Sequence, residues 1–350
     1  MGANGQLGFQ DIVGRSQALQ HITLMLKQIA NTPLNTILLL GETGTGKDLF
    51  AKVLHDESPR AGHPFVEINC TAVPETLLED ELFGHEAGAF TDARRSREGL
   101  VSTANHGTLF LNEIADISIG MQVKLLRLIE DRMYRKLGSV EELESNVRII
   151  AATSGDLESL VRSRQFKVDL YYRLNVFPIH IPPLRERTED TLPLAHHFLK
   201  QYSEMYGKQL DAFSQSAEEL LLRYPWPGNV RELRNVIERV VMLQGGDGVV
   251  GPQHLPLHVR KLQPLTLGNA GLNDLSEAFE TLIEHNLSLE EIEQNMIKLT
   301  LQQMAGNVSR TARRLKIGRS ALISRMKKYS IKSETEPRSS TLQANRAKAP

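Results

Sequence analysis

Short apolar runs at 36–40 (TILLL), 65–68 (FVEI), 108–111 (TLFL) and 147–151 (VRIIA) punctuate the first half of the chain. Between them, apolar positions recur at helical spacing. Runs of this length predict buried strands, and the amphipathic stretches predict helices that cover them. Up to about Pro182 the alternation predicts a mostly parallel sheet with helices on its faces. From Leu192 to Leu243 the signals are helical only, and Ser216-x-x-Glu219 reads as a capping box. GGDGVVGPQHLP closes that region, and residues 256–287 read as a linker with weak helical patches. A last helical block covers about 288–330, where Leu289, Ile292, Met296 and Leu299 predict one buried stripe. The Ser-, Lys- and Arg-rich end, 333–350, predicts disorder. No internal repeat is visible.

Composition narrows the class. The 350 residues leave room for two or three domains, and 41% hydrophobic with 24% charged residues is ordinary for a soluble globular protein. A single cysteine, Cys70, excludes a disulfide framework and suits a reducing, cytoplasmic setting. No apolar run reaches the roughly 20 residues of a membrane span, and no signal peptide opens the chain. The opening MGANGQLG, residues 1–8, reads as a linker or cloning remnant, with an input domain missing ahead of it. The net charge of −1 hides an asymmetry: from Ala305 to Ser333 no residue is acidic and many are basic. That block suggests an appended nucleic-acid-binding module.

GETGTGKD, 41–48, follows the strand TILLL and leads into the helical pattern DLFAKVLH. Gly41, Gly44 and Gly46, with Glu42, Thr43 and Thr45 between them, permit a tight loop whose backbone N–H groups wrap phosphate oxygens. The helix N-terminus at Asp48-Leu49 adds a favourable dipole, and Lys47 reaches the terminal phosphates. Strand before and helix after is the context that supports a nucleotide loop. Asp48 stands where a Ser or Thr would hold a metal. GTLFLNEI, 107–114, then delivers Asn112 and Glu113 to the end of a strand. Such a strand usually supplies two carboxylates, one for magnesium and one for the attacking water. Here the first is an amide. Asp48 and Asn112 are the candidate metal groups.

With these two motifs the chain resembles an AAA+ ATPase, and FGHEAGAFTDA at 83–93 narrows the resemblance. It looks like the surface loop of bacterial enhancer-binding proteins, the ATP-driven activators of sigma-54 RNA polymerase. Gly88, Ala89, Phe90, Thr91 and Ala93 match that family's GAFTGA loop, and Asp92 does not. FKVDLYYRLNVFPIHIPPLRER at 166–187 and YPWPGNVRELRNVIERVV at 224–241 extend the likeness over nearly all of residues 9–260. The resemblance implies an α/β AAA+ P-loop core at 9–182, a helical lid at 183–255 and a small all-α helix-turn-helix domain at 288–332. It further implies that Ile12, Val13 and Gly14 line the adenine pocket. Asn69 matches a switch asparagine that restrains the catalytic glutamate, Glu113. Arg173 matches an arginine finger that reaches a neighbouring subunit's γ-phosphate, and Arg231 the lid's sensor arginine. Four positions depart from the family: Asn112 for the metal-side Asp, Ser154 for the sensor Asn, Lys167 for the first arginine finger, and Asp92.

GNVSRTARRLKIGRSALISRMKKY, 306–329, reads as two short helices around the turn Lys316-Ile317-Gly318. Ala312, Leu315, Leu322 and Met326 face inward. The block resembles the Fis-type DNA-binding domain. Arg319, Ser320 and Ser324 are placed to reach base edges, and Arg310, Arg313, Arg314, Lys327 and Lys328 to meet phosphates. The expected cofactors are ATP or ADP with Mg²⁺; a cyclic dinucleotide signal, used by some degenerate relatives, is not readable from the residues. The expected partners are palindromic or repeated double-stranded DNA, RNA polymerase holoenzyme, and further copies of the chain as a dimer or as a hexameric or heptameric ring, with no membrane. The resulting expectation is a transcription regulator that binds ATP and hydrolyses it poorly, acting without ATP-driven sigma-54 remodelling. A competent sigma-54 activator and a generic AAA+ remodelling ATPase are the alternatives.

Overall fold

The computed structural model describes residues 6–91, 93–244, 248–260, 288–304, 306–329 and 331. Among these, residues before 261 form one compact unit and those from 288 a second.

In the first unit a five-stranded sheet takes up all four predicted runs: β1 (Thr36–Leu40), β2 (Phe65–Asn69), β3 (Thr108–Asn112) and β4 (Arg148–Thr153). A fifth strand, β5 (Pro178–His180), was not expected, because only three residues pair, the first is itself a proline, and Pro182 and Pro183 follow closely. The order is β2-β3-β4-β1-β5 and every pairing is parallel. Strand periodicity sends alternate side chains to opposite faces. Ile37, Leu39, Phe110 and Ile150 pack against α1 (Gln17–Ala30) and α2 (Lys47–Asp56). Leu109, Leu111, Ile149 and Ala151 pack against α3 (Glu75–Phe83), α4 (Ile119–Asp131) and α5 (Val168–Leu174). Burial on both faces is why these strands read as unbroken apolar runs.

The lid carries α6 (Thr191–Tyr206), α7 (Gln215–Arg223) and α8 (Asn229–Leu243) around the buried Trp226, whose indole N–H donates to Leu221 O at 2.9 Å. Three expectations need correction here. The lid is not wholly helical: Leu210–Phe213 pairs in parallel with Gly248–Val250, strands too short to show a period. The cap of α7 is Ser214, whose hydroxyl accepts from Ala217 N, not Ser216. The lid also runs past 255, since Leu257–Arg260 is helical and Val259 lies in its core. At the other end, residues 6–8 are not a free linker: Leu7 N donates to Asp56 Oδ2 at 2.9 Å and Gly8 N to Asp11 Oδ2 at 2.7 Å. The rest of the expected linker, 261–287, the last residue of the expected helix-turn-helix domain, Lys332, and the tail 333–350 lie outside the described residues.

The second unit has α9 (Leu289–Gln303), α10 (Val308–Arg314) and α11 (Arg319–Lys328). Ala312, Leu322 and Met326 are buried as expected. The stripe on α9 is displaced toward later positions: Ile297 and Leu301 are buried, while Met296 and Leu299 are 55% and 60% exposed. Both sets recur at helical spacing, so the period alone did not choose the face.

Ser214→Ala should cost about 1 kcal/mol and Ser216→Ala less than about 0.5 kcal/mol. Urea denaturation of the two variants checks this. Equal losses would return the cap to Ser216.

Candidate nucleotide site and nucleic-acid interface

The parallel register sets β3 between β2 and β4, pairing Asn112 with Asn69 on one side and Ala152 on the other. The ends of β1 and β3 therefore open on one edge, where the loop 41–46 enters α2. Gly44 and Gly46 adopt φ of +81° and +102°, which only glycine takes without strain. At Gly44 a second constraint applies, because a Cβ would lie 2.3 Å from Gly228 O on the lid. Lys47 begins α2 and is buried; its ammonium donates to Gly41 O at 2.7 Å and to Glu42 O at 3.3 Å, and stands 3.8 Å from Glu113 Oε1. Burial pulls its pKa down, and the nearby Glu113 and Asp48 oppose that fall.

Thr43, Gly44, Gly46, Lys47, Asp48, Leu49, Asn112 and Glu113 line a cleft of about 330 Å³, closed from the lid by Phe198, Val230, Arg231 and Arg234. Asn112 Nδ2 donates to Asp48 Oδ1 at 2.9 Å, and Arg231 Nη2 stands 3.9 Å from Asp48 Oδ2. Asn112 Oδ1 accepts from Glu113 N at 3.1 Å. Glu113 itself is left-handed (φ 54°), an uncommon state for a residue with a side chain. Its carboxylate accepts from Ser154 N at 3.0 Å and Ser154 Oγ at 2.9 Å. Ser154, noted in the sequence as a departure, is thus the residue that restrains Glu113. In this geometry Asn69 Oδ1 accepts from Thr71 N and Oγ1 in a local turn.

A neighbouring cavity of about 540 Å³ shares Gly46, Leu49, Phe198 and Val230 with the cleft and is lined by Ile12, Val13, Thr45 and Arg187. Gly14, Gly41 and Glu42 line neither cavity. Gly14 packs at Leu19 and Asp190, and Glu42 is bound to Arg185. Lys167 and Arg173 also lie outside this chain's own cleft. Lys167 caps α5, its N–H donating to Gln122 Oε1, and Arg173 Nε donates to Glu130 Oε1 at 2.5 Å. Phe198, Val230, Arg234 and Arg187 escaped the sequence reading. Val230 and Arg234 lie in the same stretch, 224–241, that carries Arg231, and Arg187 ends PPLRER, so a signal was present.

The loop 88–93 folds on itself: Gly88 N donates to Ala93 O at 2.7 Å and Ala93 N to Phe90 O at 3.0 Å. Ala89 packs against Gly138, Thr91 is exposed, and Phe90 is 44% exposed with its ring edge-on to His85. Asp92 lies outside the described residues. In the second unit Arg310, Arg313, Arg314, Arg319, Ser320, Ser324 and Lys327 are all exposed. Lys328 is exposed too, but is paired with Glu290 at 2.6 Å.

Residues 12–180 match the sigma-54 interaction domain, 185–269 the AAA+ ATPase lid domain and 288–329 the bacterial regulatory proteins of the Fis family. Over 315 residues the chain is 42% identical to the transcriptional regulatory protein ZraR of Escherichia coli (strain K12), covering 90% of this chain and 68% of that one. The chain belongs to the sigma-54-dependent transcriptional regulators. Within this family it is 40% identical to the phenol regulator MopR of Acinetobacter guillouiae (91% of this chain, 56% of that protein). It is 42% identical to the transcriptional activator HyfR of Escherichia coli (strain K12), covering 93% and 48%. The chain thus spans about half the length of these two relatives. NtrX from Brucella abortus, solved in complex with ADP, superimposes with a TM-score of 0.67 at 30% identity, over 92% of this chain and 70% of that one. Among the described residues no helix is long and apolar enough to cross a membrane.

Asn112→Asp should put a second carboxylate beside Asp48. Without a divalent cation the pair, buried at position 112 and half-exposed at Asp48, should cost about 1 kcal/mol or more, a Tm fall of at least about 2–4 °C, which Mg²⁺ restores. Thermal melts with and without Mg²⁺ check this; a variant Tm indifferent to the cation would show that the pair holds none.

Proposed function

We propose that this regulator holds ATP or ADP in the cleft, turns it over slowly, and uses nucleotide to set its assembly on DNA. The carrying observation is the Asn112–Asp48 hydrogen bond: the strand that should present the metal-side carboxylate presents an amide already committed to its neighbour. In support, NtrX has also been solved in complex with ATP. Backbone N–H groups of 43–46 and the Lys47 ammonium suit the phosphates, and the cavity at Ile12 and Val13 suits the base. A bound magnesium nucleotide would supply a phosphoryl group polarised for attack by water. Magnesium fits only as an ion shared with the phosphates. Asp48 supplies its one ready carboxylate, and among the described residues no three His, Cys, Asp or Glu cluster as a metal site.

Glu113 is the group that would take the water's proton. Lys47 stands 3.8 Å away and two donors of Ser154 hold its carboxylate, so those bonds must loosen before it can turn to a water. Arg173 and Lys167, turned away from their own cleft, suit a neighbouring copy's site, which favours a ring. Lys167 cannot offer the two-pronged fork of an arginine to developing charge. Arg319, Ser320 and Ser324 at the exposed start of α11 suit base edges in a major groove. Arg310, Arg313, Arg314, Lys327 and Lys328 suit phosphates, Lys328 after leaving Glu290. A paired Fis-type module reads a palindromic or repeated site. A second reading, turnover fast enough to drive loop 88–93 against sigma-54 holoenzyme, is favoured by the exposed ring of Phe90.

Two measurements test the reading. ATP turnover by assembled wild-type protein should fall well below about 1 s⁻¹, the lower end for ordinary enzymes; faster turnover would establish the driven mechanism instead. Lys47→Ala should lose binding of a fluorescent ATP analogue, and retained binding would remove the phosphate site. On the DNA side, Arg319→Ala should cost about 1–3 kcal/mol and relax specificity at one base pair, while Lys327→Ala should flatten the salt dependence by about one phosphate. Operator titrations at several salt concentrations separate the two, and wild-type behaviour by both variants would place another helix in the groove.

A further inference from the structure

The phosphate loop is fastened to the lid by bonds that phosphate chemistry does not require. Glu42 lines neither cavity, yet its carboxylate accepts from Arg185 Nη1 at 2.7 Å and Nη2 at 2.5 Å, and from Asn229 Nδ2 at 3.2 Å. Asn229 is fully buried at the start of α8, and φ of 53° suits it to asparagine. Its Nδ2 also donates to Thr43 O at 3.0 Å, and its Oδ1 accepts from Leu184 N at 2.8 Å. Arg187 Nη2 donates to Thr45 O at 3.0 Å, and Arg231 N to Gly44 O at 3.2 Å. Successive residues 42–45 are thus each bonded to the lid or to segment 184–187. That segment joins β5 to α6, so it is the joint between core and lid.

We propose that Glu42, Arg185 and Asn229 are positioning residues that lock the first turn of α8 to the phosphate loop and fix where Arg231 and Arg234 stand over a bound nucleotide. This rests on the nucleotide reading above. The two-pronged Arg185–Glu42 contact fixes direction as well as distance. Being half-exposed, it contributes little to fold stability, so its effect lies in placement. Bonds from Arg185, then from Asn229, hold the Glu42 carboxyl at about 2, so the lock stays charged at any physiological pH. Arg231 stands 3.9 Å from Asp48 Oδ2 from this turn, and any play in the lock is play in its reach.

The reporter is the Arg231 amide, whose hydrogen bond to Gly44 O spans the contact. Arg185→Ala alters a half-exposed side chain outside both cavities, so the fold should tolerate it. In the nucleotide-free protein its Arg231 amide should exchange about tenfold faster than in wild type, with amides of β3 unchanged. Affinity for a fluorescent ATP analogue should fall about three- to tenfold, and Arg185→Lys should recover only part, lacking the fork. Glu42→Ala combined with Arg185→Ala should be no worse than Glu42→Ala alone, as expected of one shared contact. Asn229→Gly, which keeps the backbone conformation but loses the side-chain bonds, should show the largest rise in exchange. Unchanged Arg231 exchange in Arg185→Ala, or an unchanged affinity alongside faster exchange, would overturn the proposal. A wild-type protein that does not bind the analogue would instead overturn the nucleotide reading, while the exchange measured without nucleotide still decides the lock.

Discussion

Everything at the cleft depends on the register of the parallel ladder. Leu40 pairs with Thr153, Ala152 with Asn112, and Asn112 with Asn69, so the polar ends of neighbouring strands arrive together. A slip of one residue in β3 would turn Phe110 from one packed helix layer into the other and carry Asn112 and Glu113 off the edge. The register is enforced far from the site, by Leu109 and Leu111 on one face and Phe110 on the other, all completely buried. Packing chemistry in the core thereby sets the placement of the polar groups at the rim.

At that rim, charge is distributed with little slack. Lys47 and Arg231 bring positive charge and Asp48 and Glu113 bring negative charge, while Asn112 bridges as a neutral donor and acceptor. Each member already has a protein partner, so an incoming phosphate must exchange bonds rather than fill a vacancy. Lys47 would exchange two carbonyl bonds for phosphate oxygens, a favourable trade for a buried cation. The Glu113 carboxylate is held in turn by the N–H and hydroxyl of Ser154.

Much of this was legible in the residues themselves. Four strands were visible because burial on both faces leaves continuous apolar runs, and the phosphate loop because glycine spacing and the following helix are local features. The fifth strand and the small lid pair were not, being three or four residues long and formed by partners distant in the chain. The displaced stripe on α9 shows the same limit: period gives a face, and only tertiary packing says whether Met296 or Ile297 turns inward. Within the site, residue types were readable but pairings were not. Ser154 read only as a departure from the family's asparagine; its hydroxyl and N–H nonetheless reach Glu113. Asn69 read as the restraint and in this geometry closes a turn with Thr71. Such partners are chosen by side-chain reach across strands, which no one-dimensional spacing encodes.

The close approach of Gly44 to the lid carries an implication for descent. Glycine is needed there twice, once for a backbone turn that can cradle an anion and once because Gly228 O leaves no space for a Cβ. Were a descendant of this chain to abandon its ligand altogether, the second need would remain, and selection for a stable fold would keep purging every other residue from the position. A glycine-rich loop in this architecture can therefore outlive its chemistry. Its persistence records the contact between two parts of a molecule as faithfully as it records a substrate.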